Sequence, residues 1–339
     1  MAIKINSIQG VSTMSANGTN RYTRTNPNIN RNPLWNFTLP HTFQGTVAGY
    51  ATAGIPQIGI DKFPFATNAN ATDVGNLSVS RRSTNAGQSS EVSGYTSTGF
   101  GPASYNNTID KFPFATNANA TDVGDVTFGR YSATGQSSTV SGYTSGGRAG
   151  ENPPVPYGTP VDNIIDKFPF ATNANATDVG NASLDRGRSA GQSSTVSGYT
   201  SGGGAGGYGW TGNVIDKFPF ATDSNATDVG DLTVTRVGPV GQSSDVSGYT
   251  SGGGPVSNVI DKFPFATNAN ATDVGDLTFA RYDGASQSST VSGYTSGGFA
   301  PSVPGATNVI DKFPFASDAN ATDVGDLVLA SGSLAGQQD

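Results

Sequence analysis

Short apolar runs alternate with polar turns along most of this chain. One stretch, IDKFPFATNANATDVGDLT, recurs with small changes from Ile60, Ile109, Ile165, Ile215, Ile260 and Ile310. Its Ile, Phe, Val and Thr positions lie between Gly, Asn-Ala-Asn and Asp turns, which is typical of short β-strands. No segment carries apolar residues at the helical spacing i, i+3, i+4, i+7 over about ten residues. The pattern therefore predicts an all-β protein.

A second motif alternates with the first. GQSSTVSGYTSGG is whole or nearly whole in four places and weaker in two, at Gly135–Gly147, Gly191–Gly203, Gly241–Gly253, Ser286–Gly298, Gly87–Gly99 and Phe43–Gly54. The repeat spacing averages 50 residues. That is the size of one β-propeller blade of three or four strands, whereas a solenoid rung is shorter and an immunoglobulin-type sandwich needs about 100 residues.

These observations predict a six-bladed β-propeller over residues 41–339. Six units have both motifs, and Phe43–Gly54 is interpreted as a complete, if degenerate, first hairpin. Seven blades, with the two termini completing the seventh, are the alternative. The proline after the first Phe of each copy removes a backbone donor, so its strand must end there or lie at an edge. Phe63, Phe65, Val74, Leu77, Tyr95 and their copies are predicted core residues.

The order of the motifs resembles the kelch repeat, with a galactose-oxidase-like QSS before the glycine pair. The resemblance covers about residues 41–330 and rests on two repeated features, the glycine pairs at Gly146/Gly147, Gly202/Gly203, Gly252/Gly253 and Gly297/Gly298, and the arginines at Arg81, Arg130, Arg186, Arg236 and Arg281. Two departures are VGDL-type sequences where kelch blades usually carry Trp, and Ser331 in place of the sixth Arg. We expect each Arg to pair structurally with the repeated Asp of IDK on a neighbouring strand.

The repeated string is also similar to tandem repeats in virion proteins of marine tailed bacteriophages, notably those that infect cyanobacteria. That similarity implies a location in the virion after synthesis in the host cytoplasm, and no particular activity. Residues 1–40 do not fit the repeat and are rich in Asn and Pro, so we expect an extended arm that orders against other virion proteins. The predicted docking residues are Arg21, Arg24, Arg31 and Trp35.

Charge and composition exclude several classes of catalytic and metal sites. The chain has 25 acidic and 18 basic side chains, yet residues 1–59 hold four basic residues and no acid. There is no Cys and one His, His41, which excludes cysteine nucleophiles, Cys-rich zinc sites and a repeated Ser-His-Asp triad. No signal-like or membrane-spanning apolar stretch is present, and nothing in the sequence indicates a cofactor or nucleic-acid binding.

The segments between the motifs differ most, and in a four-stranded blade they fall on one face. There the insert from the glycine pair to IDK meets the link that follows Arg, while the constant NANATD turn lies on the opposite face. This division favours a recognition surface on a repeated scaffold, with neutral drift of loops as the alternative. The candidate binding residues are aromatics of the inserts and links that could stack on a sugar or anchor a protein, Tyr105, Tyr131, Tyr157, Tyr208, Trp210, Tyr282 and Phe299.

Three functional readings remain at this level. The first is a non-enzymatic phage structural protein, such as a tail-fibre, appendage or capsid-surface component, that binds a host glycan or another protein. The second is a purely architectural spacer. The third is a glycan-acting enzyme, which needs an asymmetric acid or His cluster that the sequence does not show. A weak calcium candidate is the oxygen-rich turn of Asn117, Asn119, Asp122 and Asp125, although Asx turns explain the same residues.

Overall fold

The computed structural model describes residues 44–54, 58–83, 86–101, 105–149, 161–204, 212–255, 257–302 and 305–339. Residues His41–Asp339 form one compact unit, apart from residues Met1–Pro40. Within the described ranges all regular structure is β-strand, arranged in six antiparallel sheets. The fold is a six-bladed β-propeller, as the repeat spacing predicts. None of the described residues belongs to a helix that could cross a membrane.

Each blade is a meander whose four strands run from the ring axis to the periphery. In chain order blade 1 has β1 (Ala48–Thr52), β2 (Gly59–Pro64) and β3 (Thr72–Asn76), and blade 2 has β4 (Ala86–Ser89), β5 (Ser93–Ser97), β6 (Thr108–Pro113) and β7 (Thr121–Asp125). Blade 3 has the short β8 (Arg130–Tyr131), then β9 (Thr134–Ser137), β10 (Ser141–Ala149), β11 (Val161–Pro169) and β12 (Thr177–Asn181).

The remaining blades repeat the arrangement. Blade 4 has β13 (Ala190–Ser193), β14 (Ser197–Ser201), β15 (Gly212–Pro219) and β16 (Thr227–Arg236), and blade 5 has β17 (Val240–Ser243), β18 (Ser247–Ser251), β19 (Val259–Pro264) and β20 (Thr272–Asp276). Blade 6 has β21 (Ala285–Ser288), β22 (Ser292–Ser296), β23 (Val309–Pro314) and β24 (Thr322–Asp326), and β25 (Ala335–Gln338) ends the chain. The third strand of every blade ends at its proline, as predicted.

The C-terminal strand closes the ring. β25 pairs antiparallel with β1, with Tyr50 opposite Gln337, and so supplies the innermost strand of blade 1. The prediction that Phe43–Gly54 forms a complete hairpin is therefore wrong, and the seven-blade alternative is wrong as well. AGQQ can take this place because it keeps the Gly and Gln of the inner strand. Gln337 Nε2 donates to the Tyr95 carbonyl at 3.0 Å, as Gln88 Nε2 does to the Tyr143 carbonyl at 2.9 Å.

Strand alternation directs the IDKFPF motif to both neighbours of its blade. On β6, Ile109 packs toward blade 3 beside Tyr95 and Phe168, whereas Phe112 and Phe114 pack toward blade 1. Because successive side chains of a strand point to opposite faces, both faces of each blade contribute to a core. The hydrophobic core is therefore six similar clusters between blades. Most predicted core residues and their copies are buried. The partly buried ones are Val74 with its five copies and three copies of Phe65, namely Phe170, Phe220 and Phe315.

The repeated Arg and Asp form buried ion pairs between each link and the next blade. Arg81 Nη2 lies 2.7 Å from Asp110 Oδ2, and equivalent pairs are Arg130–Asp166, Arg186–Asp216, Arg236–Asp261 and Arg281–Asp311. Arg81 also donates to the carbonyls of Thr96, Thr98 and Thr108. The expectation of a structural Arg–Asp pair is confirmed in five of the six repeats.

The constant NANATDVGD sequence joins neighbouring blades at the periphery of the ring, and we call this contact the clasp. In all six interfaces an Asn Oδ1 accepts the backbone N–H of the fifth residue of the preceding outer strand, at 3.0–3.1 Å, as in Asn119 with Asn76. The next residue returns a bond, since Ala120 N–H donates to the Asn76 carbonyl. Gly75 has a φ of 155°, and a Cβ there would lie 2.5 Å from the Ala118 carbonyl oxygen. This motif is constant because it holds blade to blade.

The strand order gives the ring two different faces. The variable face carries the links and the loops between second and third strands, which hydrogen-bond to each other, as Arg82 does with Phe100. The constant face carries the other two turns of each blade. Six exposed valines also lie on the constant face, one per blade and 53–69% exposed, Val47, Val92, Val140, Val196, Val246 and Val291. The predicted separation of variable and constant loops is confirmed.

Candidate ligand-binding mouth on the variable face

The links build the rim of the axial opening on the variable face. The first residue after each Arg forms an antiparallel bridge with the residue that follows the glycine pair of its own blade. The bridged pairs are Arg82–Phe100, Tyr131–Arg148, Gly187–Gly204, Val237–Gly254 and Tyr282–Phe299. The rim thus has a different pair of residues at each of these blades, although the backbone bridge repeats.

The second residue after each repeated Arg, or after Ser331 in the sixth repeat, belongs to a ring of residues around the opening. We call this set the mouth ring, and its members are Ser83, Ser132, Arg188, Gly238, Asp283 and Ser333. All six have a positive φ, between 53° and 72°. Backbone hydrogen bonds join consecutive members, from Arg188 N to Ser132 O at 2.8 Å, Gly238 N to Arg188 O at 2.7 Å and Asp283 N to Gly238 O at 2.8 Å. The mouth ring is therefore a shared backbone scaffold that fixes where its side chains emerge.

Three consecutive members of the mouth ring depart together from the serine of the other three. Arg188 of blade 4 reaches past blade 5 to Asp283 of blade 6 and forms a bidentate ion pair, with Nε 3.1 Å from Oδ1 and Nη2 bonded to Oδ2. Gly238 lies between them, and a Cβ at Gly238 would collide with Asp283 Oδ1. The glycine thus provides the space that the ion pair occupies. Bidentate Arg–carboxylate pairs are geometrically specific, so this arrangement fixes both side chains.

The mouth encloses a cavity of about 450 Å³, within the roughly 300–1,000 Å³ of small-molecule sites. Its described lining includes the mouth ring except Gly238, together with Tyr131, Arg148, Val237, Gly254, Pro255, Tyr282 and Phe299. The Arg188 side chain is 18% exposed and that of Asp283 is 7% exposed. The Arg188 guanidinium also lies 5.5 Å from the Tyr282 ring centroid, a cation–π distance. The Arg188–Asp283 pair and Tyr282 therefore lie together in the wall of this opening.

The predicted aromatic residues divide into three groups. Tyr131, Tyr282 and Phe299 line the mouth and are partly buried. Tyr105 lies behind Tyr131 and stacks on it, with ring centroids 5.5 Å apart and planes at 18°. Tyr157, Tyr208 and Trp210 lie outside the described residues, as do the predicted docking residues Arg21, Arg24, Arg31 and Trp35.

Arg148, Arg188, Gly238 and Asp283 were not among the candidate residues from the sequence. A signal was available, because alignment of the six repeats on the Arg of each link places Ser, Ser, Arg, Gly, Asp and Ser at the second position after it. The three unusual residues are complementary in charge and size only when the repeats close into a ring. Their positions along the sequence therefore do not by themselves predict that they meet.

The calcium candidates serve the clasp between blades. Asn119 Oδ1 accepts the Asn76 N–H, Asp122 Oδ1 accepts the Gly124 N–H at 3.1 Å, and Asp125 N–H donates to Asn175 Oδ1. Asn117 is exposed. In the described part of the chain no group of three or more His, Cys, Asp or Glu side chains is placed to hold a metal ion. The calcium hypothesis gains no support from this geometry.

Comparison with known proteins supports the fold and goes no further. Among the solved structures that match is one described as the structure of YjhT, with a TM-score of 0.62 over 76% of this chain and 88% of its own. The two sequences are 14% identical, so the likeness concerns the fold alone. No protein-family model matches the chain, and no curated protein matches its sequence.

Proposed function

We propose that this chain is a non-enzymatic binding protein whose variable face recognises a glycan or a protein on a host surface. The observation that carries the proposal is the coordinated departure of Arg188, Gly238 and Asp283 from the mouth ring. The three changes occur in three separate repeats, and each has its effect only with the other two. Neutral drift alters loops independently and does not select a glycine that makes room for an ion pair between two other blades.

Binding is favoured over glycan hydrolysis by the carboxylates available in the mouth. Most glycosidases need two Asp or Glu residues across the scissile bond, about 5–9.5 Å apart. In the described lining of the cavity the single carboxylate is Asp283, and Arg188 holds it in a bidentate pair. A carboxylate held in this way is positioned to accept hydrogen bonds from a ligand.

The finer assignment of the blades as kelch-type is part of the same proposal. Its support is that the glycine pair and the Arg act together. Gly146 and Gly147 have φ values of 60° and 116°, and Gly147 N–H donates to the Arg186 carbonyl at 3.0 Å. A location in a phage virion, with residues 1–40 docked on other virion proteins, follows from the sequence resemblance. It fits a module that presents one face outward.

Labelled protein on glycan and surface-protein arrays, and on intact cyanobacterial cells, tests the proposal. We expect binding in at least one format, and we expect the double variant Tyr131→Ala/Tyr282→Ala to weaken it about tenfold or more, as loss of interface aromatics does. Val140→Ser, at an exposed residue of the constant face, is the matched control and should bind as wild type.

Two results would overturn the proposal. Absence of binding in every format would favour an architectural spacer, and equal binding by wild type and the double variant would place recognition elsewhere. Release of new reducing ends from a bound glycan, measured in the same experiment, would refute its non-enzymatic part.

A further inference from the structure

The ligand class of the mouth can be inferred from the Arg188–Asp283 pair, on the premise that the proposed binding function is correct. A guanidinium is a donor and a carboxylate is an acceptor, and here the two are held side by side at one point of the cavity wall. Two neighbouring hydroxyls match such a surface, because each hydroxyl can both donate and accept. One hydroxyl donates to Asp283 while the adjacent one accepts from Arg188.

The pair is pre-organised before any ligand arrives. Two hydrogen bonds fix Arg188 to Asp283, and the Tyr282 ring lies 5.5 Å from the guanidinium on another side. Gly238 between them removes the side chain that would push the two apart. A fixed donor–acceptor pair loses little conformational entropy on binding, which is how a small polar contact contributes useful affinity.

Aromatic rings stand beside this polar point. Tyr282 and Phe299 are bridged to each other, with ring centroids 5.7 Å apart, and Tyr131 lines the cavity from blade 3. A pyranose ring offers a C–H face for such rings and hydroxyls along its edge, so one sugar residue satisfies both parts of the site. The ion pair has no net charge, so it gives no preference to an anionic ligand.

We propose that the mouth binds a neutral sugar residue through two vicinal hydroxyls, one donating to Asp283 and one accepting from Arg188, with the sugar ring against Tyr282 and Phe299. Arg148 lines the same cavity and is 8% exposed. A carboxylated sugar is therefore the competing ligand class, and the experiment must separate the two.

Affinity electrophoresis in gels cast with defined polysaccharides provides the test. The neutral probes are mannan, dextran and periodate-oxidised, borohydride-reduced mannan, in which vicinal hydroxyl pairs have been cleaved. Laminarin, a neutral 1,3-linked glucan, has internal residues without vicinal hydroxyls. Alginate and polygalacturonate are the carboxylated probes. We expect retardation by mannan or dextran and none by oxidised mannan or laminarin. Alginate and polygalacturonate keep vicinal hydroxyls and add carboxylates, so they should retard the protein no more than the neutral polymers do.

The variants separate ligand contact from scaffolding. Arg188→Ala, Asp283→Ala and Gly238→Ala should each weaken retardation about tenfold or more, the effect of losing a hydrogen bond to a charged group. The exchange variant Arg188→Asp/Asp283→Arg keeps an ion pair but moves the guanidinium and the carboxylate to different places on the cavity wall, because the two side chains differ in length. It should therefore bind as poorly as the single variants. The control is the same exchange at Lys167 of blade 3 and Asp223 of blade 4, whose charged atoms lie 2.9 Å apart. This ion pair is more exposed and does not line the cavity. The control exchange should leave retardation unchanged.

Each contrary result has a distinct meaning. Recovery of binding in the Arg188/Asp283 exchange would show that the pair only supports the fold, and retained binding to oxidised mannan would refute the vicinal-hydroxyl contact. Retardation by the carboxylated polymers alone would overturn the neutral-sugar class and leave the proposed binding function intact. If no polysaccharide is bound, this inference fails, and binding on the protein array and to cells decides the proposed function separately.

Discussion

Substitution of two equivalent aspartates by asparagine should change the unfolding free energy very differently. Asp110 and Asp61 occupy the same position in blades 2 and 1, and both are buried. Asp110 pairs with Arg81, whereas in the repeat that would pair with Asp61 the position of the arginine is occupied by Ser331. We predict that Asp110→Asn destabilises the propeller strongly and that Asp61→Asn does not destabilise it at neutral pH. The chain thus provides its own matched control.

The magnitude follows from the bonds of each carboxylate. Asp110 accepts from Arg81 Nη2 at 2.7 Å, from Ser78 N–H at 3.1 Å and from the Ser78 hydroxyl. Removal of its charge leaves the guanidinium of Arg81 buried without its counter-ion, which typically costs about 3–5 kcal/mol of unfolding free energy.

Asp61 keeps a single bond of this kind. It accepts from Val328 N–H at 3.0 Å, and valine replaces the hydroxyl-bearing residue of the other repeats. Burial raises the pKa of Asp61, the Val328 hydrogen bond lowers it, and the nearby Asp73 raises it further. An asparagine can retain the Val328 bond while removing the buried charge. We therefore expect an equal or higher unfolding free energy for Asp61→Asn at pH 7.

Unfolding in guanidinium chloride, followed by far-ultraviolet circular dichroism, measures both effects. A shift of the midpoint concentration without a change in the slope of the unfolding free energy against denaturant reports a change in stability. The pH dependence has a defined sign. Because the folded pKa of Asp61 is raised, its favourable contribution is complete below the unfolded pKa of about 3.9 and is lost as pH rises through the folded pKa. The advantage of Asp61→Asn should therefore grow as pH rises from about 3.9 to the folded pKa, and it should level off above the folded pKa. Equal losses for the two variants at pH 7 would refute the reasoning.

Three further predictions concern closure and the clasp between blades. Deletion of Ala335–Asp339 should abolish a single cooperative unfolding transition, because it removes the strand that closes the ring; an unchanged melting curve would contradict this. Gly124→Ala should lower the unfolding free energy by about 2 kcal/mol or more, because its Cβ would lie 2.7 Å from a carbonyl oxygen of blade 3. Gly305→Ala is the control: the residue has open space around it, so its substitution should cost only the ~1 kcal/mol of an unfavourable φ. Asn175→Ala should cost about 1–2 kcal/mol by leaving the Asp125 N–H without its 3.0 Å acceptor, and Asn175→Asp should recover most of it; thermal unfolding measures both.

The blades could be predicted from the sequence because their determinants are local. The turns, the prolines that end the third strands and the alternation within IDKFPF each act over a few residues. The repeated Arg and Asp also indicated their ion pair, since identical residues at a fixed spacing must meet in identical ways. Such features repeat six times, so chance coincidences are averaged out.

Closure and the mouth could not be predicted in the same way. The pairing of Tyr50 with Gln337 joins opposite ends of the chain, and AGQQ is too short to identify as a strand by its pattern. Arg188 and Asp283 are 95 residues apart and meet only because two blades flank a third. Each depends on the curvature of the ring, which the periodicity indicates but does not position residue by residue.

Departures from the repeat fall into two physical kinds, and the difference between them bears on function. At the ring closure, Val328 and Ser331 replace a hydroxyl-bearing residue and an arginine, and among the described residues Asp61 keeps the Val328 N–H in place of the hydroxyl and guanidinium donors of the other repeats. At the mouth, Arg188, Gly238 and Asp283 gain a bidentate bond that no other blade has. Loss without compensation is what relaxed selection on a single copy produces. Gain that requires three copies to change together is what selection for a site produces, and this asymmetry is the reason that we propose the mouth, rather than the closure, as the recognition site.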